Sequence, residues 1–144
     1  MEKKANNEDK IMWKVMIVDD EKLICKLVQA LVEWDKLGMQ MAAQAENAIQ
    51  ALDMLQQYRP DILITDIRMP GMDGLELIKN AKKICPELEI IIISGYAHFE
   101  YARNALSLGV GNYLLKPIKQ DELNETLRKI GERLDAKKSA QGLS

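Results

Sequence analysis

Lys14-Val15-Met16-Ile17-Val18-Asp19-Asp20 is the stretch on which the fold turns. An unbroken apolar run, stopped by two carboxylates, fits a short strand covered on both faces. Ile62-Leu63-Ile64 repeats the pattern and closes on Thr65-Asp66. Leu88 to Ile93 repeats it again, closes on Ser94-Gly95, and is rich in isoleucine, which favours strand. Between these runs the period turns helical. Leu23, Leu27 and Leu31 recur every fourth residue beside Ile24, Val28 and Val32. Ala48, Leu52 and Leu55 make a second stripe, and Leu75, Ile78 and Ala81 a third.

The two remaining strands look like edges. Met39 to Ala45 sets polar residues on alternate positions, as a half-buried strand does. Asn112 to Leu115 is short and follows Gly109 and Gly111. A helix from roughly Phe99 to Leu108 fills the interval before Gly109. The last helix starts near Asp121 and holds one face with Leu123, Leu127, Ile130 and Leu134. Strand alternating with helix predicts an α/β fold: a doubly wound, five-stranded parallel sheet of order 2-1-3-4-5, the flavodoxin-like arrangement. Ligands of such sheets bind beyond the strand C-termini, where the order reverses between strands one and three.

Composition is compatible with this and narrows the function. The chain has 144 residues, 47% of them hydrophobic, enough for one core without disulfides or a structural metal. Twenty basic against 22 acidic residues leave a net charge of −2, so no basic field points to direct nucleic-acid binding. Cys25 and Cys85 have no neighbour at metal-ligand or redox-motif spacing, and His98 is the sole histidine. That excludes a zinc site built from several histidines. No run approaches the ~18 apolar residues of a membrane span. Met1 to Lys10 is charged and lacks a signal-peptide core. The expectation is a cytoplasmic domain over 13–135, with residues 1–12 as an N-terminal extension and 136–144 as a ragged C-terminal tail or truncated linker.

The fold selects the chemistry. Asp19 and Asp20 end the first strand and Asp66 the third, so neighbouring strands would bring three carboxylates into one crevice. Each alone could simply cap the helix that follows. Together and unpaired they would repel and raise one another's pKa, and a hard divalent cation relieves that conflict. An all-oxygen site with few protein ligands suits Mg²⁺. Ser94 ends the fourth strand, and Lys116, before Pro117, ends the fifth. Alone, one reads as a turn residue and the other as a surface lysine. With the carboxylates they complete the parts of phosphoryl transfer to an aspartate: nucleophile, charge neutralisation and oxygen-binding donors.

Val18-Asp19-Asp20-Glu21, Asp66-Ile67-Arg68-Met69-Pro70-Gly71-Met72-Asp73-Gly74, Ser94-Gly95-Tyr96 and Lys116-Pro117 together resemble the receiver domain of two-component response regulators. The resemblance runs from about Lys14 to Leu134 in the family's order and spacing. It implies that Asp66 accepts a phosphoryl group from a sensor histidine kinase. It implies Mg²⁺ held by Asp20, Asp66 and the Arg68 carbonyl, with Asp19 acting mainly through water. Lys116 would pair with the phosphoryl oxygens, Ser94 would hydrogen-bond to one, and the Lys116-Pro117 bond would be cis. Phosphorylation would draw Ser94 in and let Tyr113 rotate into the space it leaves. The surface of the fourth helix, fifth strand and fifth helix would then switch, and homodimers form there in the family.

Trp34-Asp35-Lys36-Leu37-Gly38, Ser94 to Ala102 and Tyr113 to Pro117 further resemble the receivers of regulators with an AraC-type DNA-binding domain. Gly111-Asn112 and Cys25 depart from that group, away from the site. Lys137 to Ser144 is too short for a helix-turn-helix, so the expectation is either a stand-alone receiver or, as the favoured reading, one whose transcriptional output lies in a C-terminal domain missing from this chain. Such a chain is a phospho-accepting signalling domain rather than an enzyme. An aspartyl phosphohydrolase would need D-x-D at the first strand and a cap. A flavodoxin-like binder would need a Ser/Thr-rich phosphate loop. Asp73 with Glu76 reads as a capping box. His98 reads as an exposed loop residue, and Tyr96, Phe99 and Tyr101 as packing or a partner surface.

Overall fold

A computed structural model describes residues 12–95 and 103–143. Its strands are β1 (Trp13–Val18), β2 (Met39–Ala45), β3 (Ile62–Asp66), β4 (Glu89–Ser94) and β5 (Asn112–Leu115). All neighbours pair in parallel, in the order β2-β1-β3-β4-β5, as the strand pattern predicts. Helices α1 (Lys22–Leu31), α2 (Ala48–Tyr58) and α3 (Gly74–Ile84), with a long C-terminal helix (Gln120–Leu143), cover the two faces. The readings of Tyr96, His98, Phe99 and Tyr101, and the start of the helix before Gly109, lie outside the described residues. What is described there ends in a 3₁₀ helix, Asn104–Leu108.

The sheet separates two apolar layers. Met16, Val18, Leu63 and Ile92 face α2 and α3 in one; Val15, Ile17, Ile64 and Ile93 face α1 and the C-terminal helix in the other. Alternate residues of a strand point to opposite faces, so a strand buried on both sides must be apolar throughout. That is why β1, β3 and β4 read as continuous runs.

β2 departs from simple alternation. Its register on β1 shifts between Val15 and Met16, whose partners are Met41 and Ala43. Ala42 is the extra residue of a bulge, and one extra residue exchanges the faces beyond it. Met39 and Met41 accordingly pack with α1, whereas Ala43 and Ala45 pack with α2.

Helix α1 corrects the sequence reading. Its buried residues are Cys25 and Val28, followed by Val32, while Leu23 is 77% and Leu27 41% exposed. Apolar residues cover so much of this helix that two rows satisfy the helical period. Contact with the sheet chooses between them. The C-terminal helix buries Leu123, Leu127, Ile130 and Leu134 as read. It then continues to Leu143 instead of fraying after Asp135. Trp13 Nε1 donates to Asp135 Oδ1 at 2.8 Å, and Arg133 and Lys137 pair with Glu89 and Glu87 at 2.9 and 3.1 Å. Buried Asn124 fastens the same helix to the chain after α1. Its Oδ1 accepts from the Glu33 amide at 2.8 Å, and its Nδ2 donates to the Leu31 carbonyl at 2.9 Å.

Candidate functional site

β1 and β3 are neighbours, so their C-terminal ends deliver Asp19, Asp20 and Asp66 to one place. Carboxylate oxygens of all three lie within 4.8 Å of one another. Asp19 and Asp66 are buried, and Asp20 is exposed. Lys116, after β5, reaches across β4: its Nζ stands 3.3 Å from Asp66 Oδ2 and 3.7 Å from Asp19 Oδ2. The Lys116 backbone is tied to β4, its amide donating to the Ser94 carbonyl at 2.8 Å. The Lys116-Pro117 peptide is cis.

Each buried carboxylate is oriented by the backbone that follows it. Asp66 Oδ1 accepts from the Ile67 amide at 2.7 Å and the Arg68 amide at 3.4 Å, which leaves Oδ2 toward Lys116. Asp19 Oδ1 accepts from the Glu21 amide at 2.9 Å. The loop after Asp66 ends at Asp73, whose Oδ1 caps α3 by accepting from the Glu76 amide at 3.0 Å. The capping reading of Asp73 therefore holds, and its carboxylate is directed to the helix.

Ser94 is fully buried at the end of β4, one residue past the Ile93 that pairs with Asp66. Its hydroxyl donates to the Gly95 carbonyl at 3.5 Å. Tyr113 pairs with Ile92, packs against the layer under α2 and α3, and has a buried hydroxyl oxygen.

Among the described residues, the Lys116 ammonium meets the Asp19 and Asp66 carboxylates, and Asp20 adds a third carboxylate beside them. Burial pushes the Asp19 carboxyl up to about 6, and the charges of Asp66 and Asp20 push the same way, against the Glu21 amide and Lys116. For Lys116, burial pulls downward, but the attraction of Asp66 and Asp19 outweighs it and the pKa lies above the ordinary lysine value. Such a group of oxygens, with a donor cation on one side, can hold a hard divalent ion and an incoming phosphoryl group.

Sequence reasoning missed two neighbours. Cys25 lies beneath Asp19, its Sγ 3.8 Å from the Asp19 carbonyl oxygen; burial, with the Asp19 charge, pushes its thiol up to about 11. Thr65 is fully buried and its hydroxyl donates to the Asp66 carbonyl at 2.9 Å. Neither carries a signal in one sequence, because a cysteine in a helix and a threonine in a strand are ordinary there.

Residues 15–128 match the family described as "Response regulator receiver domain". The chain is 40% identical over 119 residues to the uncharacterized transcriptional regulatory protein YesN of Bacillus subtilis (strain 168), covering 83% of this chain and 32% of that protein. It is 32% identical over 133 residues to the transcriptional regulatory protein HptR of Staphylococcus aureus (strain NCTC 8325 / PS 47), covering 92% of this chain and 52% of that protein. The solved REC domain of AraT, a response regulator from Geobacillus stearothermophilus, matches with a TM-score of 0.85 at 38% identity, over 89% of this chain and 99% of that one. A two-component transcriptional regulator AraC from Clostridium phytofermentans ISDg matches with a TM-score of 0.77 at 36% identity, over 82% and 92%. The chain thus spans roughly half, or less, of these curated relatives' length.

Proposed function

The chain belongs to the response regulator receiver family, and from that premise we propose that it takes a phosphoryl group from a sensor histidine kinase onto Asp66. The observation that carries this reading is the placement of Lys116 Nζ within 3.3 Å of Asp66 Oδ2 and 3.7 Å of Asp19 Oδ2, beside the third carboxylate of Asp20. An Asp66 carboxylate oxygen attacks the phosphorus of a phosphohistidine. The new P–O bond forms as the P–N bond breaks, and the departing imidazole nitrogen keeps the electron pair. Lys116 pairs with the phosphoryl oxygens and offsets the charge they bring.

Asp19, Asp20, Asp66 and the Arg68 carbonyl would hold Mg²⁺, with Asp19 acting mainly through water. That ion would neutralise charge on the transferred group. Ser94 then hydrogen-bonds to a phosphoryl oxygen, and Tyr113 follows into the space that Ser94 vacates. The surface that includes β5 and the C-terminal helix changes with them, and homodimers form there. Relatives named as transcriptional regulators support a DNA-binding output in a further domain, with this domain as the cytoplasmic switch. Among the described residues, no helix is long and apolar enough to cross a membrane.

Intact-mass spectrometry after incubation with acetyl phosphate and Mg²⁺, beside an Asp66→Asn variant, tests the reading. One phosphoryl adduct is expected on the wild type, lost with EDTA and absent from the variant. A folded, magnesium-binding wild type that gains no adduct would refute it and favour a pure interaction module. Multiple turnover of the phosphodonor would favour a phosphohydrolase.

A further inference from the structure

Behind Asp66 the backbone of α3 comes unusually close. A Cβ at Gly74, the first residue of α3, would stand 2.5 Å from the Asp66 carbonyl oxygen, 2.7 Å from Ile67 Cα and 3.1 Å from the Ile67 carbonyl oxygen. All three are main-chain atoms, so no rotamer change relieves the contact. The requirement is for space, since Gly74 is not among the positive-φ glycines. The crowded peptide is also the one that orients the acceptor. Its Ile67 amide holds Asp66 Oδ1 at 2.7 Å, and its Asp66 carbonyl accepts from Thr65 Oγ1 at 2.9 Å. The next carbonyl, of Ile67, accepts from the Gly74 amide at 2.8 Å. With Oδ1 held, Oδ2 is the oxygen that meets Lys116.

We propose that Gly74 is a positioning residue for phosphoryl transfer: its missing Cβ lets the Asp66–Ile67 peptide lie where the Ile67 amide clamps Oδ1 and presents Oδ2 to Lys116. The inference rests on the reading of Asp66 as acceptor. A methyl group at residue 74 must open the contact from 2.5 Å to at least 3.0 Å, and only the peptide or the whole helix can yield. If the peptide yields, the amide swings off Oδ1 and the carboxylate turns. Misplacements of about 1 Å at a reacting group cost on the order of 100-fold in rate.

The test compares Gly74→Ala with Gly38→Ala, which is strained by a φ of 68° but immediately precedes β2, away from the site. Labelling by acetyl phosphate at saturating Mg²⁺ is followed by intact mass, at a temperature where each protein is folded. The Ile67 amide resonance is followed by ¹H–¹⁵N NMR. Gly74→Ala should label at least about tenfold more slowly and move the Ile67 proton upfield, while Gly38→Ala does neither. Labelling of Gly74→Ala within about twofold of wild type, or an unmoved Ile67 amide, overturns the inference. If Gly74→Ala does not fold, Thr65→Val releases the same peptide from its other side. It should slow labelling and shift the same amide; a Thr65→Val protein unchanged in both overturns the inference. A wild type that itself fails to label removes the acceptor reading, and this inference with it. That failure differs from a labelled wild type with an equally labelled variant.

Discussion

Replacing Asp19 with asparagine should stabilise the metal-free protein at neutral pH. Asp19 is 2% exposed and its pKa is raised from 3.8 to about 6, with burial the largest cause. The folded state therefore binds the Asp19 proton more tightly than the unfolded chain does. The stability it contributes is fully present below 3.8 and lost as pH rises through about 6. Each pKa unit corresponds to about 1.4 kcal/mol, so the carboxylate costs on the order of 3 kcal/mol at pH 7. Asparagine keeps an acceptor for the Glu21 amide, and the 3.7 Å attraction between Lys116 and the carboxylate is already contained in the raised pKa. The expected gain is therefore about 3 kcal/mol, and with a urea slope of about 2 kcal/mol per molar the midpoint should rise by about 1.5 M.

Urea unfolding in EDTA from pH 4 to 8 would show it. Wild type should lose stability across pH 4–6 relative to the variant, and the two curves should converge at the acid end. Added Mg²⁺ should invert the order at pH 7, because the ion uses the repulsion that the variant lacks. Below about 6 the wild type should bind Mg²⁺ less well, since Asp19 must first release a proton. A variant no more stable than wild type at pH 7 in EDTA, or one with the same pH slope, would refute the electrostatic account.

Lys116→Ala should slow labelling by acetyl phosphate on the order of 100-fold or more while leaving Asp66 the labelled residue, as peptide mapping would show. Asn124→Ala leaves the Glu33 amide and the Leu31 carbonyl without their partner, so urea unfolding should record a loss of about 2–3 kcal/mol. Leu127→Ala and Leu23→Ala form a pair. The first residue is fully buried and the second 77% exposed, so expected losses are about 2–5 kcal/mol and under about 0.5 kcal/mol. Equal losses would contradict the orientation of α1 described above.

The strands were legible because a doubly covered sheet imposes a strong composition. A residue on either face of β1, β3 or β4 must be apolar, so each strand appears as a run and its carboxyl-terminal end appears where polar residues resume. The carboxylates of Asp19, Asp20 and Asp66, with Ser94 and Lys116, stand at those ends, and short-range order along the chain was enough to find them. The cap of α3 by Asp73 was equally local. Other features were hidden. The apolar rows of α1 are equivalent by period, so Leu23 and Leu27 read on a par with Val28 and Val32 until the sheet takes Val28, Val32 and the unread Cys25. The bulge at Ala42 leaves no mark in a segment whose alternating residues look continuous. The C-terminal helix outlasts its apolar face because Asp135, Arg133 and Lys137 meet partners from distant parts of the chain.

By itself, then, the sequence determined the alternation of elements, the order of the sheet and the identity of the residues at its C-terminal edge. These depend on burial and on turn chemistry, which act over a few residues. Only the tertiary structure decided which face of α1 is buried, where β2 changes faces, and which oxygen of Asp66 is held and which is presented to Lys116. It also decided that α3 starts against the Asp66–Ile67 peptide, where a Cβ at Gly74 would meet backbone atoms. Those outcomes are set by contacts between residues far apart in the chain, and no local preference encodes the distance between them.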